Sequence, residues 1–225
     1  MSQYDYHLIG TNTRYSSWTA RVETVLEYFQ IPYTNEILPL DQARTCSPSA
    51  KFPLLRCHSL CITINDSLAI VEFLADRNPH LHLWPSDPAL RALARSATAE
   101  MHSGFMTLRS TFHTNFIAKY TERVAQDQDE GFLFGKFSIA DAWFWPVLWR
   151  FRTYNLPLDN VTPEALEWME KMWSDPLVKK LVYGFYRQAE DPKTRIEKYE
   201  GLFAEEGVVY ETFPEDWVFT VSTGA

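Results

Sequence analysis

The sequence predicts two domains of different class: an α+β domain over residues 1–79 and an all-α domain over 88–190, with 191–225 as a C-terminal extension. Three observations carry this. Up to about Asn78, short apolar runs of strand length alternate with segments of helical period. From about Pro88 onward, nearly every segment has helical period. Pro79, Pro85 and Pro88 fall between the two textures, as a linker requires. A chain of 225 residues accommodates two modest domains.

In the first half, Tyr6–Gly10 is a short apolar run closed by glycine, read as a strand. Trp18, Val22, Val25, Leu26 and Phe29 then recur at helical spacing, and Pro32 ends that helix. Tyr33–Leu38 follows as a second strand, so the natural unit is a right-handed parallel βαβ. Leu54–Arg56 and Cys61–Ile64 read as a hairpin pair. A helix opens at Ser67, with Leu68, Val71, Leu74 and Ala75 on its inner face. The order βαβ then ββα is a thioredoxin-like pattern.

In the second half, Leu90, Leu93, Ala97, Met101, Leu108 and Phe112 make one stripe along a single helix of about 30 residues. A mixed stripe on that helix carries Thr98, His102, Phe105 and Arg109 at i, i+4, i+7 and i+11. Ser138 and Asp141 have capping-box spacing. They open a helix through Trp143, Phe144, Val147, Leu148 and Phe151 that is apolar nearly all round, with Pro146 as an expected kink. Thr162–Met172 and Pro176–Ala189 give two further helices. The tail from Asp191 is charged and aromatic without a period.

Composition excludes several classes. Charged residues are 22% and the formal charge is −8, with no long basic run, which argues against nucleic acid as the partner. Residues 1–6 are polar and lack a signal-peptide core, and the most apolar stretch, Ile139–Leu148, carries Asp141 and is too short to span a bilayer. Cys46, Cys57 and Cys61 are read as reduced thiols of a cytoplasmic protein. No metal is expected: Cys57 and Cys61 lack further ligands nearby, and His80 and His82 lack a third.

Three short stretches carry chemistry. In Lys51-Phe52-Pro53, a proline opens a strand after a polar loop. A cis bond there would turn the main chain of Phe52 outward, where a peptide can pair with it as an added strand. The other reading is a trans proline at a strand start. In Asn65-Asp66-Ser67, either Asp66 or Ser67 caps the helix, and the free N–H groups attract a carboxylate. In Ser16-Ser17-Trp18, a hydroxyl at a helix start either caps or donates to a thiolate, lowering the thiol pKa together with the helix dipole. No nearby histidine is placed as a base, so a serine-hydrolase reading lacks support.

Taken together these stretches resemble the glutathione transferase superfamily, in its Ser-type, zeta-like and bacterial-fungal branch. Ser16-Ser17 with Arg21 resembles the Ser-rich start of that branch. Ser47–Pro53 resembles the family loop that ends in Val-Pro, and Asp66-Ser67-Leu-Ala-Ile resembles its acidic-Ser motif. Ser138–Asp141 matches the capping box of its central C-terminal helix, and Glu100–Phe105 a stretch of the bacterial and fungal subgroup. The resemblance covers roughly Tyr6 to Ala189 and implies the glutathione transferase fold and glutathione as co-substrate. It implies that Ser17 or Ser16 contacts the sulfur, that Phe52 beside Pro53 pairs with the cysteinyl part, that Asp66 and Ser67 hold the γ-glutamyl end, and that Lys51 reaches the glycyl carboxylate. Phe52 stands where the family has Val or Ile, and the loop Leu40–Ala50 is short, which puts the glycyl contacts in doubt.

Thr98, His102, Phe105 and Arg109 either line a pocket for an aromatic or conjugated electrophile, or pack the helix on its neighbours. Arg152 is a further cation for that pocket or a solvated helix end. The expected function is glutathione transfer to a small electrophile in a cytoplasmic homodimer, without membrane or nucleic-acid partners. Two alternatives stand beside it. One is a glutathione-dependent cis-trans isomerase, supported by the zeta resemblance and weakened by Trp18, which stands where that class has Cys. The other is a non-catalytic scaffold. The tail either covers the site or is a poorly ordered end.

Overall fold

The computed structural model describes residues 4–111, 113–120, 138–158, 161–201, 203 and 208–219. The chain divides into two compact units. One takes its described residues from Met1–Phe105 and Phe134–Trp143, the other from Met106–Leu133 and Phe144–Ala225.

The first unit holds a four-stranded mixed sheet of order β2-β1-β3-β4, from β1 (Tyr6–Gly10), β2 (Tyr33–Ile37), β3 (Leu54–Cys57) and β4 (Ile62–Asn65). β1 runs parallel to β2, with Tyr6 opposite Tyr33, and antiparallel to β3, with Ile9 opposite Leu54. β3 and β4 form the expected hairpin, Leu54 opposite Asn65. Successive strand residues face opposite sides. Ile9 and Leu54 pack with Ala43 of the short α2 (Ala43–Cys46) and with Phe52. The other face, carrying Leu8 and Leu55, is left to α1 (Ser17–Tyr28) and α3 (Ser67–Arg77), which pack on each other. Val22, Val25, Leu26, Ile70, Val71 and Leu74 are fully buried there. This is the thioredoxin-like arrangement.

α4 (Pro88–Ser103) belongs to the same unit, and the expected single long helix ends there. Gly104 donates its N–H to Glu100 O at 2.7 Å, Phe105 turns to φ 55°, and a separate α5 (Met106–Thr111) follows. The expected apolar stripe is also displaced. Leu90 and Leu93 are exposed, while Ala94, Thr98 and Met101 are the buried residues of α4. The side chain of Leu108 and residue Phe112 lie outside what the structure describes. The displacement has a physical reason: α4 docks on the small face of Ala94, Thr98 and Met101, and polar contacts flank it. Arg95 pairs with Glu72 at 3.0 Å, and His102 with Asp66 at 3.0 Å. The fully buried Arg21 donates Nε to Trp143 O at 2.9 Å and Nη2 to Met101 Sδ at 3.3 Å, lying 4.6 Å from the Trp18 ring.

α6 (Ile139–Thr153) opens with the expected capping box. The Ser138 hydroxyl accepts from Ala140 N at 3.2 Å, and Asp141 Oδ2 accepts from Ser138 N at 2.7 Å. The second unit contains the rest of α6 with α7 (Pro163–Ser174), α8 (Pro176–Glu190) and the short α9 (Glu197–Glu200). Proline at the first position and Thr162 or Asp175 as caps define the starts of α7 and α8. The core is aromatic: Phe116 stacks on Trp145 and Phe185 at 5.0 and 4.6 Å, and Trp149 donates to Phe116 O at 2.7 Å.

The described part of the C-terminal extension is built into this second unit. β6 (Tyr210–Thr212) pairs antiparallel with β5 (Ala118–Tyr120), and Tyr186 donates its hydroxyl to Phe213 O at 2.8 Å. Arg152 is not a solvated helix end. Its guanidinium lies 4.3–5.0 Å from the rings of Phe213, Trp149, Trp217 and Trp173, and burial lowers its pKa to about 10. Among the described residues, no helix is long and apolar enough to cross a membrane.

Candidate active site

The first helix start is set by a tight turn after β1. Tyr15 and Ser16 both donate their N–H to Asn12 O, at 2.9 and 3.0 Å. Ser16, extended at φ −105° and ψ 92°, is the N-cap. Its hydroxyl accepts from Thr19 N at 3.3 Å and shares a hydrogen bond with Thr19 Oγ1 at 3.0 Å. Ser17, the first helical residue, is buried, and its hydroxyl makes no hydrogen bond among the described residues. Gly10 permits this approach: a Cβ there would stand 2.2 Å from Thr19 Cγ2.

The second stretch is the approach to β3. Ser47 and Ser49 share a hydroxyl bond at 3.1 Å, and Lys51 N donates to Ser47 Oγ at 3.4 Å. The Lys51 side chain is exposed. The Phe52–Pro53 peptide is cis. The Phe52 ring is buried on Ile9, Ala43 and Leu54, which fixes the residue, while its main-chain N–H and C=O make no hydrogen bond among the described residues.

The third stretch is the start of α3. Asp66 sits at φ 76°, ψ 126°, in the left-handed half of backbone space, a strained choice for a non-glycine residue. It is Asp66, not Ser67, that caps: Oδ1 accepts from Leu68 N at 2.9 Å and Ala69 N at 3.2 Å. Oδ2 faces His102 Nε2 at 3.0 Å. Ser67 is buried, and its hydroxyl is unbonded among the described residues.

The structure therefore draws His102 to Asp66 and to the Trp18 ring, 5.1 Å away edge to face, with Trp143 at 6.3 Å. It does not assemble Thr98, His102, Phe105 and Arg109 as one helical face. Thr98 is fully buried, Phe105 is the left-handed residue past the end of α4, and Arg109 lies on α5 in the other compact unit. There Arg109 donates Nη2 to Met106 Sδ at 2.9 Å, and burial lowers its pKa.

Two polar anchors were not foreseen in these roles. Arg21 lies three residues after Trp18, on the inner face of α1, so the helical period did signal its burial. The Asp66–His102 pair spans two elements and has no local signal.

Two family models match, each by its own half of the chain. Residues 15–77 match the glutathione S-transferase N-terminal domain, and residues 89–171 the glutathione S-transferase C-terminal domain. The chain belongs to the glutathione S-transferase superfamily. A probable maleylacetoacetate isomerase of Caenorhabditis elegans is 32% identical over 98 residues, 42% of this chain and 45% of that protein. The chain spans about half the length of the curated relatives it matches. Among solved structures, a glutathione transferase homologue from Burkholderia, crystallised with bound glutathione, superposes with a TM-score of 0.61 at 24% identity, covering 81% of this chain and 98% of that one. The nitrogen regulation fragment of the yeast prion protein Ure2p superposes with a TM-score of 0.61 at 19% identity, covering 82% and 98%. At these identities the likeness is one of fold, and it agrees with the thioredoxin-like sheet and the helices described above.

Proposed function

We propose that this protein binds glutathione on its thioredoxin-like unit and activates the thiolate for attack on a small aromatic or conjugated electrophile. The observation that carries the reading is the buried Ser17 hydroxyl, unengaged among the described residues at the N-terminus of α1 while its neighbour Ser16 does the capping. A free donor there, aided by the helix dipole, favours the charged form of a sulfur placed against it. Lowering a thiol pKa by about 2 units corresponds to about 2.7 kcal/mol and leaves most of the bound thiol ionised at neutral pH.

The other groups fit one extended tripeptide. The unpaired Phe52 main chain, beside Pro53, takes the cysteinyl part as an added strand would. Asp66 and Ser67 take the γ-glutamyl end, where the first N–H groups of α3 favour its carboxylate and Asp66 its ammonium. Lys51, exposed and directly before Phe52 in sequence, takes the glycyl carboxylate. The family match and the relatives crystallised with glutathione support this ligand. The domain division we propose is 1–79 for glutathione, 88–190 for the helical domain and 191–225 as extension, with the two family models falling at 15–77 and 89–171.

A second reading has its own support: the curated relatives that match are named maleylacetoacetate isomerases. In that reaction the thiolate adds to a conjugated double bond, the bond rotates, and the thiolate leaves, so glutathione is regenerated. One experiment separates the two. The purified chain is given glutathione with a model aryl halide, and separately with maleylacetone. Conjugate without isomer supports transfer; isomer without net loss of glutathione supports isomerisation. No binding of glutathione at millimolar concentration overturns both.

A further inference from the structure

Resting on the glutathione reading above, we propose that His102 is the positioning residue of the γ-glutamyl subsite: it orients the Asp66 carboxylate to receive the ligand's α-ammonium.

One carboxylate can accept only a limited number of hydrogen bonds. An ionised carboxyl has about four lone-pair directions. Asp66 Oδ1 is occupied twice, by Leu68 N and Ala69 N, because it caps α3. Only Oδ2 is left for a ligand, and its direction is set by rotation about the bond that joins the carboxyl to Cβ. The contact at Oδ2 is His102 Nε2, at 3.0 Å. A carboxylate only accepts, so the proton of this bond sits on Nε2. One lone pair of Oδ2 is thereby taken by the imidazole and the other is aimed. A plain N-cap would need only Oδ1.

The imidazole is itself held. It meets the Trp18 ring edge to face at 5.1 Å and lies against Trp143 at 6.3 Å. Trp18 directly follows Ser17, so the residue that fixes the γ-glutamyl acceptor is braced by the neighbour of the proposed sulfur donor. The γ-glutamyl end and the sulfur of the proposed ligand are thus referred to one ring on α4, within one compact unit. The left-handed backbone of Asp66, φ 76°, is a further sign that this carboxylate is placed for more than capping.

The alternative is that His102 merely ties α4 to α3. The two differ in what they predict for a ligand without the ammonium. The test measures dissociation constants of glutathione and of glutaryl-cysteinyl-glycine, its des-amino analogue, by titration calorimetry. It uses the full chain and its His102→Gln, His102→Asn and His102→Ala variants, each checked for folding by thermal melting. The full chain is expected to prefer glutathione by about tenfold or more, the order of one hydrogen-bonded charge pair. His102→Ala and His102→Asn, whose side chain is too short to reach Oδ2, should cut that preference about fivefold and change affinity for the analogue less than twofold. His102→Gln, which keeps a donor near the Nε2 position, should retain most of it. Equal weakening of both ligands, or an unchanged preference in His102→Asn, overturns the proposal and leaves glutathione binding intact. If the full chain binds neither ligand, the glutathione reading falls first and this inference with it.

Discussion

The starts of α1 and α3 solve one problem twice. Each has two adjacent polar residues. At α1 Ser16 caps and Ser17 keeps a buried hydroxyl unbonded among the described residues; at α3 Asp66 caps and Ser67 keeps one. They differ in bracing. The α1 cap is local, closed within three residues by Thr19 and made possible by Gly10. The α3 cap carries a left-handed backbone and a second contact from a distant helix. In both pairs the first residue serves the backbone and the second keeps its hydroxyl, while at α3 the first, Asp66, also keeps Oδ2 outside the cap. On the proposed glutathione reading, the sulfur partner Ser17 is served by local geometry alone, whereas the acceptor Asp66 has a second element to aim it.

The comparison breaks most visibly at Ser17. Ser17→Ala is expected to lower kcat for glutathione conjugation by about 100-fold, the scale of one lost donor to a developing or resting anion. Glutathione affinity should change less than about threefold. Ser16→Ala, by contrast, should act on folding: loss of an N-cap costs about 1 kcal/mol, read as a lower Tm, with kcat nearly kept. If the kcat loss follows Ser16 instead, Ser16 is the sulfur partner and the division of labour is reversed. Ser67→Ala comes next in size. It should weaken glutathione binding by about tenfold, a charge-assisted hydrogen bond of about 1.5 kcal/mol, without the kcat loss seen at Ser17.

Much of this site was legible because its parts are local. A cap, a capping box and a proline at a strand start are all written within four residues, so Ser16, Asp66, Pro53 and Ser138–Asp141 could be picked out in order. Which member of each polar pair caps was not legible, since Ser and Asp have nearly equal cap preference. The strands of the sheet were legible as short apolar runs, whereas β5 and β6 are three residues long and meet across some 90 residues of chain, beyond any periodic signal. The long-helix expectation failed because the apolar stripe runs on through Gly104 and Phe105 while the backbone does not. It also mistook Leu90 and Leu93 for the inner face. α4 is docked by Ala94, Thr98 and Met101, with Arg21 and Asp66 supplying polar partners from elsewhere in the fold, and partners of that kind leave no trace in a helix's own sequence.

The smallest expected effect tests the bracing itself. The hairpin that delivers the chain to Asp66 is pinned by Asp5, which accepts from Ser59 N at 2.7 Å and Ser59 Oγ at 2.8 Å, with Cys57 and Arg77 adjacent. Hydrogen bonds from Ser59 hold the Asp5 pKa below the ordinary carboxylate value. A group with a lowered native pKa contributes stability that is complete above its unfolded pKa and is lost as pH falls through the folded one. Below about pH 4, therefore, this contribution fades, and the unfolded chain takes up the extra proton. Amide exchange followed between pH 6 and pH 3 should show protection at Ser59 and along β3–β4 declining before protection at Thr19 and Ala20 of α1, whose cap has no titrating group. Asp5→Asn should lose that difference in pH dependence while leaving the Ser16 cap unaffected. Equal loss of protection in the hairpin and at the start of α1 would mean that both are braced by the unit as a whole and that the local character assigned to the α1 cap is mistaken.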